Sequence, residues 1–218
     1  MDMDTRARFI VRTYLHLFGA ILAFVILEAF LFFSGLAYPI AVGLLSLPWL
    51  AVLGIFMVAA WMARGLAHRT TSKPAQYLGL AFYVVAEAII FVPLLALAEV
   101  TAGGVIQSAA LVTLLSFSGL TAIAIITRKD FSFLRSVLFY GGIVAMVLII
   151  AGVVFGFELG TFFSVAMIGL AGAAILHDTS NVLHFYPEDR YVGAALELFA
   201  SVALMFWYVL RLMIALRD

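Results

Sequence analysis

Cysteine is absent from all 218 residues. Disulfides, thiolate nucleophiles and cysteine-held iron–sulfur centres are therefore excluded, and the redox compartment is unreadable. Charge is scarce too: Asp, Glu, Lys and Arg make up 11% of the chain, and the formal net charge is zero. With no basic run, nucleic acid is excluded as a partner. Lysine occurs only at Lys73 and Lys129, outside the apolar runs, so no lysine is placed to carry a retinal Schiff base. The motif GxSxG is missing, and Asp178 is the one aspartate on an apolar run, which leaves an aspartyl dyad without its second member. His177 and His184 alone are weak grounds for zinc. Catalysis is not expected.

What the chain has in excess is apolar side chain, 66% of its residues. Ordinary globular proteins are about half apolar, so most of this surface needs lipid as its solvent. The apolar stretches are about 20 residues long, enough for a helix to cross a ~30 Å hydrocarbon core. A β-barrel would show alternating segments of about 10 residues instead, and none occur. The fold class is therefore an all-α integral membrane protein, a seven-transmembrane-helix bundle forming a single domain over 1–218. The spans are expected at 13–34, 39–63, 77–98, 105–127, 136–156, 159–177 and 190–214. The segment "MDMDTRARFIVRTY" leads into the first span and lacks the short apolar core and small-residue cleavage site of a removable signal. Pro48 and Pro93 fall inside spans two and three, where kinks are expected. Pro187, Glu188 and Asp189 read as the first turn of the last helix, with acids at its positive end. Gly152 and Gly156, spaced GxxxG, are expected to let helices approach closely.

Orientation follows from the connections. Arg6, Arg8, Arg12, Arg64, Arg69, Lys73, Arg128, Lys129, Arg135 and Arg190 are ten of the 12 basic residues, and all flank spans on one side. The alternate connections 35–38, 99–104 and 157–158 contain no Lys or Arg. The N-terminus is then cytoplasmic and the C-terminus outside, with Arg211 and Arg217 anchoring the far end of the last helix.

Carboxylates at membrane depth are costly and point to function. Four qualify: Glu28 in span one, Glu87 in span three, Asp178 ending span six, and Glu197 in span seven. Glu28 and Glu87 have apolar neighbours on both sides and suit either a hydrogen bond between helices or an ion pathway. Asp178 is the sharper candidate, and Arg64 and Arg190 are the cations most able to reach it. Glu99 and Glu158 read as interfacial acids, and His16 as an interfacial hydrogen-bonding residue.

Three segments carry a resemblance. "RKDFSFLRSVL" (128–138), "ILHDTSNVLHFY" (175–186) and "ALELFASVALMFWYVLRLM" (195–213) resemble signatures of the Bax inhibitor family, the transmembrane BAX-inhibitor-motif proteins. The resemblance covers most of the chain from span two onward. It implies a pH-sensitive calcium leak in which aspartates of helix six and of the last helix share a proton and an arginine ending span two latches the closed state. Asp178 matches the helix-six aspartate. Ser201 stands where the second aspartate belongs, and Ala63 stands at the arginine position, with Arg64 one residue later. Glu197 lies four residues before Ser201 on the same helix face, so it is expected to approach Asp178 and to titrate with it as a unit. Asp178 and Glu197 would then be the contacts for passing Ca²⁺, which prefers oxygen ligands.

The expected function is thus a leak for calcium or other cations across a bacterial inner membrane, gated through Asp178, Glu197, Ser201 and Arg64. No cofactor is expected; Ca²⁺ is the cargo and the lipid bilayer the constant partner. The alternative is a non-conducting interaction protein that restrains another membrane protein, such as a quality-control protease.

Overall fold

The computed structural model describes residues 3–217, and the regular elements among them are all helical. In chain order these are α1 (Met3–Phe33), α2 (Ala37–Leu45), α3 (Trp49–Arg69), α4 (Lys73–Thr101), α5 (Val105–Thr127), α6 (Leu134–Phe155) and α7 (Gly160–His184). A 3₁₀ turn (Glu188–Arg190) then leads into α8 (Tyr191–Ala215). Seven of the helical segments are long and apolar enough to cross a membrane. Helices are what lipid demands, since each backbone N–H and C=O must find its partner within the segment. Large apolar side chains such as Phe30, Ile55, Trp61, Ile126 and Phe155 face outward, where hydrocarbon replaces water.

The second expected span is not one helix. Its 39–63 stretch divides into α2 and α3 at Ser46–Pro48. Pro48 takes an extended conformation (φ −56, ψ 127) and its carbonyl receives the N–H groups of Ala51 and Val52, so it starts a new helix rather than kinking an old one. Proline lacks an N–H and disfavours helical backbone in the residue before it, which makes a break as natural as a bend. α2 is too short to span, and α3 takes that role. Pro93, by contrast, lies within an unbroken α4.

Two other boundaries move. α7 continues to His184, so Asp178 lies inside the helix rather than ending it. Hydropathy marks where lipid begins and ends, whereas helical hydrogen bonding continues through "HDTSNVLH". Gly152 and Gly156, expected at a helix–helix contact, instead close α6. Gly156 adopts φ +72 and donates its N–H to the Gly152 carbonyl. A Cβ on Gly152 would lie 3.1 Å from the Phe157 carbonyl oxygen. Their size serves the turn.

The chain divides into two compact units. The first comprises the described part of Met1–Ala96 together with Phe185–Phe199. Its apolar core includes Leu31, Ala37, Ala41, Val92 and Ala96 from α1, α2 and α4. Phe24 meets Phe91 and Phe199 edge-on, with ring centroids 5.2 and 6.1 Å apart. α3 and α4 approach closely at Gly79, where a Cβ would stand 2.6 Å from the Ala63 carbonyl oxygen.

The second unit comprises Leu97–His184 and the described part of Ala200–Asp218. Ala145, Phe163, Met167 and Tyr208 form a core from α6, α7 and α8. Its connection between α5 and α6 is pinned to α7. The Phe131 N–H donates to Ser180 Oγ (3.0 Å), and His177 Nδ1 lies 3.3 Å from the Phe131 carbonyl oxygen. Within the same loop, Asp130 Oδ1 accepts the Ser132 N–H at 2.8 Å. That bond, helped by the Ser132 hydroxyl, holds the Asp130 carboxyl below the usual range. The "KDFSF" stretch therefore has a structural role, fastening a polar connection to a spanning helix.

Candidate functional site

The polar centre of the first unit is built on helical spacing. Arg64 and His68 are four residues apart near the end of α3, so they share one face. Both meet Glu197 from the second turn of α8. Arg64 Nε–H lies 3.0 Å from Glu197 Oε1 and 3.1 Å from Oε2, and His68 Nε2 lies 2.9 Å from Oε1. A carboxylate only accepts, so His68 presents its Nε2–H here. The Arg64 guanidinium also sits over the Tyr83 ring of α4, 5.2 Å from its centroid, and buried Glu87 lies one turn further on in that helix. The Arg64 and Glu197 side chains are 40% and 24% exposed, so the pair is partly desolvated.

The same end is laced by main-chain contacts. Arg190 donates to the carbonyls of His68 (2.8 Å) and Thr70 (2.5 Å), and Lys73 donates to the Asp189 carbonyl. Arg6 donates to the Tyr186 carbonyl at 2.8 Å. The Tyr186 ring stacks on the His68 imidazole, centroids 6.2 Å apart. Gly193 completes the enclosure, since a Cβ there would lie 2.8 Å from His68 Nδ1.

In the second unit, Ser201 Oγ donates to Asp178 Oδ2 at 2.5 Å. The residue aligned with the missing aspartate thus meets the helix-six aspartate as a hydrogen-bond donor. The structure brings Arg64 to Glu197 and Ser201 to Asp178. Glu197 and Asp178, expected to share a proton, belong to different units, and within its own unit Glu197 meets Arg64 and His68 while Asp178 meets Ser201. Both Glu197 oxygens accept from nitrogen donors, which leaves fewer lone pairs for a cation than a free carboxylate would offer. Among the described residues, no group of three or more His, Cys, Asp or Glu side chains is placed to hold a metal ion.

His68 went unnoticed in the sequence, although its i,i+4 spacing from Arg64 was the available signal. His16, read as interfacial, bonds the Tyr77 hydroxyl through Nε2 at 2.8 Å. Arg190 donates to carbonyls of the first unit.

Glu28 differs from all of these. Its side chain is buried in α1, and among the described residues neither carboxyl oxygen has a hydrogen-bond partner. An unsatisfied buried polar group costs about 1–3 kcal/mol, and an apolar group of similar shape removes that cost. Glu28→Leu is therefore expected to raise the apparent melting temperature in detergent by a few degrees, at ~2–4 °C per kcal/mol. A fall of that size would mean that Glu28 holds the helices together.

Comparison with known proteins agrees with this architecture. A 113-residue stretch is 33% identical to an uncharacterized protein of Pseudomonas aeruginosa, covering 50% of each chain. A 118-residue match, 33% identical and covering 53% of each chain, links it to the modulator of FtsH protease YccA of Escherichia coli; the inner membrane protein YccA of a second strain matches equally. The chain spans about half the length of the curated relatives it matches. The seven apolar spanning helices and these relatives make it an integral inner membrane protein. The family described as "Inhibitor of apoptosis-promoting Bax1" matches residues 6–218, so the chain belongs to the Bax inhibitor family.

Proposed function

We propose that this protein is a pH-sensitive leak for calcium or other cations, held shut by the contact of Arg64 with Glu197. The observation that carries the reading is a carboxylate on the last spanning helix bound by an arginine and a histidine from the helix that ends the second span. The closed form is the paired one. When the pair loosens, Glu197 becomes an ionised oxygen ligand on a spanning helix. Oxygen ligands of this kind suit Ca²⁺. In this reading the end of the helices that carries Glu197, with the N-terminus, faces the cytoplasm, which the excess of basic residues in the adjoining connections supports.

The test is Ca²⁺ flux in liposomes holding the purified protein. Flux is expected to rise from pH 6 to pH 8, and Asp178→Asn to lower it at pH 8 by about tenfold through loss of local negative charge. Wild-type flux that is absent, or equal at both pH values, ends the reading.

A second reading is favoured by one observation, the name of the Escherichia coli relative as a modulator of FtsH protease. In it, the chain conducts nothing and regulates a membrane-bound protease. Silent liposomes, together with altered turnover of a protease substrate when the chain is present, would support it.

A further inference from the structure

We propose that Arg12 of α1 and Lys73 of α4 form, around Tyr191 of α8, a binding site for the phosphate headgroup of an anionic phospholipid. All three residues belong to the first unit. The site uses neither Arg64, His68 nor Glu197, and it stands whether or not the chain conducts.

Two cations converge on one ring. The Lys73 ammonium stands 4.0 Å from the Tyr191 ring centroid and the Arg12 guanidinium 5.7 Å from it. Arg8, one turn before Arg12, lies on the same face of α1. An aromatic face attracts a cation but carries no net charge, and like charges gathered around it repel. Among the described residues, neither Arg8 nor Arg12 pairs with a carboxylate. Arg8 meets the Thr5 hydroxyl at 3.4 Å, and Arg12 meets the ring. Lys73 donates to neutral oxygens, the Asp189 carbonyl and Gln76 Oε1. The Asp189 carboxylate itself lies 3.5 Å from Arg190 Nε. The cluster therefore lacks an anion.

Its parts are held in place before any ligand arrives, which lowers the ordering cost of binding. Gln76 is fully buried, and its amide donates to the Thr70 carbonyl at 3.1 Å, so the oxygen that Lys73 meets is fixed. The His16 ring packs on Tyr191 with centroids 4.9 Å apart. It donates from Nδ1 to the Arg12 carbonyl (2.7 Å) and accepts the Tyr77 hydroxyl at Nε2 (2.8 Å). Lys73 and Tyr191 open α4 and α8, so the positive ends of two helices lie beside the cations.

The surface that follows along the helices is apolar. Leu15, Phe18 and Leu22 of α1 and Leu78 and Phe82 of α4 are exposed, and on spanning helices such residues meet acyl chains. A phospholipid matches both parts. Its phosphate oxygens take charge-assisted bonds from the guanidinium and the ammonium, and its chains lie along the apolar residues. Free phosphate would use the cations alone, and so would an acidic peptide. Basic pockets between spanning helices suit anionic headgroups for this reason.

Native mass spectrometry of the purified protein in detergent, titrated with phosphatidylglycerol or phosphatidylcholine, counts bound lipids and gives the affinity of the first. Phosphatidylglycerol is expected to bind about tenfold more tightly than phosphatidylcholine. Arg12→Gln combined with Lys73→Gln is expected to weaken phosphatidylglycerol about thirtyfold, roughly fivefold for each charge, and to leave phosphatidylcholine within about twofold. Arg12→Gln alone, whose side chain makes no hydrogen bond among the described residues, is expected to cost about fivefold and carries the test if the double variant melts early. Tyr191→Leu keeps both charges and removes the ring they share; it is expected to lower the preference for phosphatidylglycerol about fivefold. The control is Arg128→Gln with Lys129→Gln, which removes equal charge from the exposed connection between α5 and α6 and is expected to change phosphatidylglycerol affinity by less than about twofold. Equal losses in the two double variants would reveal general attraction to a positive surface and overturn the site. Wild-type protein that does not distinguish the two lipids overturns it as well. Inorganic phosphate that displaces phosphatidylglycerol at equal concentration would assign the cations to a soluble anion, and a glutamate-rich peptide that does so would assign them to a protein partner; either result ends the lipid proposal.

Discussion

Arg64→Gln is expected to leave the protein open at every pH, with flux at pH 6 raised about thirtyfold. The reasoning begins at the carboxylate. Arg64 Nε–H lies within 3.1 Å of both oxygens of Glu197, and its guanidinium packs over Tyr83. A glutamine there is shorter and neutral, so Glu197 keeps only His68. Removing one partner of a fully buried pair costs about 3–5 kcal/mol. Here Arg64 is 40% exposed, and solvent screening reduces the loss to about 2 kcal/mol. At tenfold per ~1.4 kcal/mol, that shifts the balance between closed and open forms by about thirtyfold. Arg64→Lys, charged but without the planar fork, is expected to fall between wild type and Arg64→Gln. Flux and pH response unchanged in Arg64→Gln would mean that the ion pair braces the fold and gates nothing.

The largest stability effect belongs to a residue with no charge. Gly79→Ala is expected to lower the apparent melting temperature by about 5–10 °C in detergent. The added Cβ would lie 2.6 Å from the Ala63 carbonyl oxygen and 2.9 Å from the Ala67 nitrogen. Both are main-chain atoms, so no flexible side chain can step aside and α3 or α4 must move. Overpacking of this kind costs about 1–3 kcal/mol. The displaced segment carries Arg64 and His68, each beside one of the crowded residues, so the pH response of flux is expected to change with stability. Gly65→Ala is the control. Its Cβ would meet nothing within 4 Å, and alanine favours the helix. Equal melting temperatures for the two variants would show that the close approach at Gly79 is relaxed in the membrane.

Some of the site is legible in the sequence. Aligning "LFASVALMF" with the family's last helix set Ser201 opposite Asp178, and the hydroxyl reaches that carboxylate at 2.5 Å. Arg64, one position away from the family's arginine, still reaches α8, because one residue moves a side chain around the helix by about 100° and its long stem makes up the difference. Glu197 stands out in the sequence as a carboxylate at membrane depth, but Arg64 and His68 do not stand out as its partners. Its partners lie 129 and 133 residues away in sequence, and no local spacing records them. His68 was overlooked because a histidine among "RGLAHRTTSK" looks like part of a polar connection until α3 is seen to continue through Arg69.

The sequence by itself determined the number of spanning helices, the family and the short list of acidic residues. These follow from local chemistry: lipid excludes unpaired backbone and isolated charge, so apolar runs of the right length become helices and the rare carboxylates stand out. Tertiary structure alone decided that Pro48 breaks a span, that α7 continues past Asp178, and that Glu197 faces Arg64 and His68. Residue spacing gives the face of a helix on which a side chain lies. Which helix that face meets depends on how apolar surfaces and small residues such as Gly79 and Gly193 pack, and that is fixed only when the whole chain has folded.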